Sequence, residues 1–271
     1  MFKNKLVYIG LVIVILFGLG ALLAPWISPY DPYELRLSEQ LIPPSSKHIL
    51  GQDANGSDIF SRLLYGARIS LTVGLLVVFI SGTIGIIIGL ISGYYGGMID
   101  TGLMRVVDIL LAFPGLLLAI ALVAVLGPSI FNVMIALTVL GWVSFTRLVR
   151  GQVLSIKERD YILAAKTSGQ SDFRIMFVHI LPNVLSPVIV QATFSVAGVI
   201  IAESSLSFLG LGVSPGTPSW GAMLSEGKQV LLDAPHVSIF PGLAIMLVVL
   251  AFNFIGDGLR DRFDPKTAES Q

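Results

Sequence analysis

Three histidines, His48, His179 and His236, are the first residues to weigh for chemistry. A catalytic zinc site needs three converging nitrogen or oxygen ligands, and a serine hydrolase needs its nucleophile on a sharp Gly-x-Ser-x-Gly turn. HExxH does not occur in the chain, and GxSxG occurs once, at residues 212–216, in the Gly- and Pro-rich stretch GLGVSPG and not between a strand-like and a helix-like run, so it does not read as a nucleophile turn. His48 and His236 with Asp233 would be the only grouping open to a metal, and loop histidines that are solvated or hydrogen-bonded to backbone are the favoured reading, so no metal site is expected. A GxxxxGK[ST] phosphate loop is also missing, so any ATP is expected to be handled by a partner. There is no cysteine, which removes disulfides, iron–sulfur clusters, thiolate zinc sites and cysteine nucleophiles together.

What remains is a set of charges in unusual places and one polar loop, and both need elements to carry them. Of 271 residues, 54% are hydrophobic and 13% charged, with a mean hydropathy of +0.85, which describes a chain immersed in membrane lipid rather than water. Seventeen Lys and Arg balance seventeen Asp and Glu, so no basic field exists to hold nucleic acid. A spanning helix needs about 20 mostly apolar residues. Six runs qualify: 6–24, 69–93, 103–126, 130–149, 184–202 and 237–256. The first follows Lys3 and Lys5 and is expected to be a retained anchor rather than a cleaved signal peptide. With the N-terminus inside, twelve Lys and Arg, Lys3 and Lys266 among them, fall on the cytoplasmic side and five on the other. The positive-inside rule then puts both termini in the cytoplasm. Long connections follow: outer segments at 25–68 and 203–236, and an inner loop at 150–183.

Within this frame Gly85, Gly89, Gly93 and Gly97 recur every four residues and form a stripe on one face of the second span, where another backbone can approach closely. Asp58 and Arg62 are expected to pair locally at the outer membrane edge, near Arg68, with direct substrate contact as the other reading. Asp108 lies inside the third span and is expected to pair with Arg105; an ionisable group at that depth also raises a role in the translocation pathway. Glu203 opens ESSLSFLGLG, where Ser204, Ser207, Phe208 and two glycines predict irregular backbone that either lines an outer gate or makes a surface turn. Gly256-Asp257-Gly258, with Asp261, Arg262 and Asp264, is expected to end the sixth span. The spans otherwise hold almost no ionisable groups, which argues against an ion-coupled carrier.

The inner loop reads YILAAKTSGQSDFRIMFVHILPN from Tyr161 to Asn183. Ala164 and Ala165 favour a short helix, Gly169 should end it, and Pro182 suits the first turn of the next helix. Such a helix, braced between two spans, either docks into a soluble partner or rests on lipid headgroups.

This AA-x-x-x-G spacing followed by HILPN resembles the cytoplasmic EAA loop of binding-protein-dependent ABC importer permeases. The stretch HILGQDANGSDIFSRLLYGARISLTVG, with the later ESSLSFLGLGV, PSWGAML and FPGLAIMLVVLAFNFIGDGLRDRFDP, is similar to the C-type permease subunits for dipeptides and oligopeptides, from about residue 25 to residue 265. Two positions depart from the pattern: Leu163 stands where the loop's name calls for Glu, and Ser57 stands where Arg is frequent.

The resemblance implies an all-α membrane protein of six transmembrane helices with the type I importer permease fold. It divides the chain into an N-terminal anchor and outer loop at 1–68 and a core permease domain at 69–271 holding the coupling loop. It implies that Tyr161, Ala164, Ala165, Lys166, Gly169, His179, Pro182 and Asn183 couple to the ATPase. Expected partners are a second homologous permease, two ATPase subunits that bind ATP and magnesium, and an extracytoplasmic substrate-binding protein, all at a bacterial or archaeal inner membrane. This chain would be a transport subunit and not itself an enzyme. A nickel or metal-chelate importer permease and, from another class, a proton-coupled peptide carrier are the alternatives.

Overall fold

The computed structural model describes residues 5–214 and 216–263. Lys3, Lys266, Asp264 and Pro265, which entered the charge count and the motifs above, lie outside the described residues. In chain order the helices are α1 (Lys5–Ile27), α2 (Ile59–Tyr95), α3 (Gly97–Leu111), α4 (Gly115–Leu126), α5 (Ile130–Ile156), α6 (Asp160–Thr167) and α7 (Asp172–Arg174). A π-helical turn, Ile175–Ile180, then leads into α8 (Leu181–Phe208), followed by α9 (Trp220–Gly227) and α10 (His236–Phe263). Five stretches are long and apolar enough to cross a membrane: α1, α2, α5, the continuous run Asp172–Phe208, and α10. Among the described residues there is no strand, only an isolated bridge between Gln52 and Asp58.

The expected third span, 103–126, is not one straight helix. The axes of α3 and α4 meet at 86°. Pro114 is the cause: it has no N–H to donate and it drives Phe113 away from helical backbone, so α3 stops and α4 restarts at Gly115.

The two longest packed surfaces belong to α2 and α5. A Cβ on Gly89 would stand 2.7 Å from Val149 Cβ and 2.8 Å from Thr146 O, and one on Gly93 would stand 2.7 Å from Val153 Cβ. Gly85 likewise lies against Phe145 and Trp142. Three glycines of the stripe therefore do what their spacing predicts. Gly97 does not join them, because α2 ends at Tyr95 and Gly97 begins α3 with φ +55°. Val73 and Val77 of α2, Ala119 and Val123 of α4, Val133, Ala136 and Leu137 of α5 and Leu206 of α8 form a second buried apolar cluster.

At one end of the bundle, residues 28–58 and α9 make a folded cap. Trp220 of α9 is fully buried, donates its indole N–H to Leu63 O at 3.1 Å, and meets Phe17 of α1 edge-on at 5.6 Å. The loop 157–180 occupies the opposite end. There too lie the start of α1 and the end of α10, which touch through Val7 and Gly258. The Gly256-Asp257-Gly258 run is thus no helix-ending turn: α10 continues to Phe263, and Gly256 admits Thr193 and Phe194 of α8. Small residues serve close approach here rather than chain reversal.

Candidate functional site

The loop end carries the most distinctive element. Asp160 in the first turn of α6 complements the helix dipole, and at the far end Ser168 Oγ donates to Ala164 O at 2.8 Å. Gly169 has φ +72°, and its N–H reaches Lys166 O at 3.0 Å while Gln170 N reaches Ala165 O at 3.2 Å. This closes the helix in the left-handed conformation glycine adopts at least cost. Ile162 and Ala165 are buried in the main core, whereas Tyr161, Leu163, Ala164 and Lys166 face outward. Gln170 Oε1 meets His179 Nε2 at 2.8 Å, and Asn183 Nδ2 donates to His179 O at 2.8 Å. Pro182 stands in the first turn of α8, as expected. Its missing N–H leaves the preceding turn wide, which accounts for the π-helical stretch. Leu163 occupies an outward-facing position, so the absent Glu is a surface difference and not a core one.

At the capped end the anticipated pair of Asp58 with Arg62 does not form. Asp58 is the N-cap of α2: Oδ2 accepts from Ser61 N and Ser61 Oγ, each at 2.8 Å, and Oδ1 meets His48 Nδ1 at 2.9 Å. A capping carboxylate is turned onto the first helical N–H groups and so away from the residue one turn on. Arg62 leans toward the helix start, as side chains on helices do, and is buried between Asp53 and Glu226, with Glu226 at 2.6 and 3.0 Å. Arg68 is exposed and lies over the Tyr65 ring. His236 Nε2 faces Gln52 O, and no metal-holding cluster of three or more side chains exists among the described residues. In the exposed part of the cap, hydrogen bonds from Gln52 and Lys47 hold the Glu39 carboxyl below its ordinary range.

Within the bundle, Asp108 pairs with Arg147 of α5 at 2.5 Å and not with Arg105; both partners stay more than half exposed, at 61% and 53%. Asp100, on the next turns back along α3, joins Arg150 at 2.6 Å and Ser92. Glu203 corrects a further expectation, since α8 stays helical through Phe208 and irregular backbone begins only at Leu209. The serines do not unravel it because each finds a partner: Ser207 Oγ donates to Glu203 Oε1 at 2.8 Å, Ser70 Oγ to Oε2 at 3.1 Å, and Ser205 Oγ to Ile201 O. Ser204 lies beside the same carboxylate at 3.5 Å, and Lys228 sits over the Phe208 ring. Glu203 is fully buried, so it ties α2 to α8 and has no open surface to offer a ligand. The roles of Asp53, Glu226, Ser70 and Arg147 were not found by sequence reasoning: the partners of the last three lie 164, 133 and 39 residues away, and Asp53, nine residues before Arg62, sits in a loop where no helical spacing signals a pair.

The family model described as "binding-protein-dependent transport system inner membrane component" matches residues 85–269. That of the "N-terminal TM domain of oligopeptide transport permease C" matches residues 1–44. The dipeptide transport system permease protein DppC of Alkalihalophilus pseudofirmus is 49% identical over 264 residues, 97% of this chain and 87% of that protein. The glutathione transport system permease protein GsiD of Escherichia coli is 51% identical over 254 residues, 93% of this chain and 84% of that protein. Among solved structures, a chain of the MetNI methionine ABC transporter in an inward-facing conformation aligns with TM-score 0.62 over 75% of this chain and 97% of the other, at 18% identity. A second crystal form aligns with TM-score 0.60.

Proposed function

The chain belongs to the family of binding-protein-dependent transport system inner membrane components, and from that premise we propose that it carries short peptides into the cytoplasm as one half of a two-permease pathway. The named activities of its relatives, dipeptide and glutathione transport, support a short-peptide substrate. In this reading a second, homologous permease completes the pathway. A binding protein delivers substrate to the capped end, and two ATPase subunits holding ATP and magnesium engage the loop end. The chain itself makes and breaks no bond. It converts closure of the ATPases into a change of access.

The observation that carries the reading is α6, a short helix outside the spans with one face buried through Ile162 and Ala165 and the other presenting Leu163 and Ala164, while Tyr161 and Lys166 are exposed at its flanks and Lys166 reaches the Tyr94 ring. A helix so held passes on a push from whatever grips its outer face. Gly169 sets its end, and His179, Pro182 and Asn183 join it to α8. Residues 1–68 act as anchor and outer segment and 69–271 as the moving core. Both termini are cytoplasmic, a reading supported by the charge asymmetry and by the position of α1's start and α10's end beside the loop.

Asp108 and Arg147 line the pathway. Arg147 stands about 14 Å inside the end of α5, and an exposed ion pair at that depth requires water or protein opposite it, not acyl chains. Glu203, Ser204, Ser207 and Phe208 form the hinge beside the outer gate, while Asp58, Arg62 and Arg68 hold the outer segment on α2. Neither a nickel chelate nor ion coupling draws support from the named relatives.

Gly169→Val tests the reading in the complete complex. The site has open space around it, so the spans fold normally, but a side chain at φ +72° distorts the end of α6. Binding-protein-stimulated ATPase activity and uptake are expected to separate or fall together while the chain's yield is unchanged. Wild-type values for both would overturn the assignment of α6.

A further inference from the structure

Tyr94 closes the last turn of α2 and is buried at the loop end. Its hydroxyl donates to Asp172 Oδ1 of α7 at 2.6 Å, and the Lys166 ammonium of α6 lies 5.0 Å from its ring centroid. One residue earlier, Gly93 O accepts from Lys157 Nζ at 3.1 Å. Among the described residues, the bond from Tyr94 to Asp172 is the side-chain hydrogen bond that joins segment 160–180 to α2. Apolar contacts can slide, whereas a phenol held by a carboxylate and overlaid by an ammonium resists displacement along and across the helix.

The far side of α2 makes this attachment consequential. Gly85, Gly89 and Gly93 seat it on α5 with backbone close to backbone, and at its other end Arg62 ties it to the cap and to α9. A displacement entering α2 at Tyr94 therefore reaches α5 and the cap without an intervening soft joint. Asp100, which starts α3, is bound by Ser92 of α2 and Arg150 of α5 and follows the same body.

We propose that Tyr94, gripped by Asp172 and Lys166, is the positioning residue that transmits movement of the α6–α7 element to α2, a clasp that stays closed while access changes. The proposal rests on the coupling role of α6 given above. Without the clasp, α6 and α7 yield to the ATPases while α2 lags behind, and ATP is hydrolysed without import.

The test uses the whole complex in proteoliposomes, with ATP hydrolysis measured beside uptake of a defined mixture of di- and tripeptides quantified by mass spectrometry. Tyr94→Phe keeps the ring and removes only the hydroxyl. It is expected to raise the ATP hydrolysed per peptide imported about fivefold, which is about 1 kcal/mol of coupling, with co-purification of the ATPase subunits unchanged. Asp172→Ala behaves alike, Asp172→Asn keeps an acceptor and stays within about twofold of wild type, and Tyr94→Phe with Asp172→Ala is no worse than either, since both remove one bond. A Tyr94→Phe complex with the wild-type ratio, even at lower yield, would show a merely structural tyrosine and overturn the clasp. So would independent, additive effects of the two substitutions. A wild-type chain that imports peptide with no ATPase subunit attached would instead overturn the functional reading, and the clasp with it.

Discussion

Replacing Gly89 by alanine adds one methyl to the seam between α2 and α5, and the structure sets what that methyl meets. It would lie 2.7 Å from Val149 Cβ and 2.8 Å from Thr146 O, whereas unbonded carbons rest about 3.5–4.0 Å apart. Backbone and β-branched atoms cannot rotate away, so α5 must retreat by about 0.8–1.3 Å. Gly85 and Gly93 then lose contact as well, because all three glycines bear on one rigid helix. Overpacking of this kind costs about 1–3 kcal/mol, partly offset by the helix propensity alanine gains over glycine, up to about 1 kcal/mol. Gly151→Ala on α5 isolates that second effect, since nothing stands within 4 Å of its Cβ position. In detergent, Gly89→Ala is expected to melt roughly 2–12 °C below Gly151→Ala, at roughly 2–4 °C per kcal/mol for chains near this size. Equal melting temperatures, or a more stable Gly89→Ala, would refute the claim that this seam is set by backbone approach.

Two further outcomes follow from the capped end. Arg62→Met strands Asp53 and Glu226 beside each other, and removing one partner from a buried ionic group costs about 3–5 kcal/mol; limited proteolysis should cut within 28–58 of this variant before any span is cut, and a wild-type digestion pattern would contradict the assignment. The Glu39 carboxyl titrates below the ordinary range because Gln52 and Lys47 donate to it, so the tie contributes above that range and is lost as the pH falls through the depressed value; a carboxyl carbon NMR titration should show it, with Lys47→Met moving the value part of the way back up.

How far the sequence could be read depended on the distance over which each feature is written. Apolar runs announce spans because a run of about 20 residues is itself the requirement. Gly85, Gly89 and Gly93 were legible because four-residue spacing places them on one face whatever packs there. Gly169 was legible because a single glycine after a short helical stretch is a local stop. The bend at Pro114 was hidden by unbroken hydrophobicity on both sides of it. Pairings were the weakest expectations: Asp58 and Asp108 were given the nearest cation, yet the first is spent on a helix cap and the second reaches across to α5. Arg62 finds Glu226, and Ser70 finds Glu203, over separations of 164 and 133 residues, where no periodicity carries information.

The length of α2 has a consequence for the membrane around it. Its 37 residues extend about 55 Å, against about 30 Å of hydrocarbon and 40–45 Å with the headgroups. One end is fixed in the cap by Asp58 and Arg62, and the other is fixed in the loop element by Tyr94. A rod anchored beyond both faces of a thinner sheet is free to choose only its tilt, and the sheet's thickness biases that tilt. Reconstitution in lipids of increasing acyl length is therefore expected to change the rate of import while leaving the folded bundle intact, and a rate that stays constant across that series would refute a coupling to bilayer thickness.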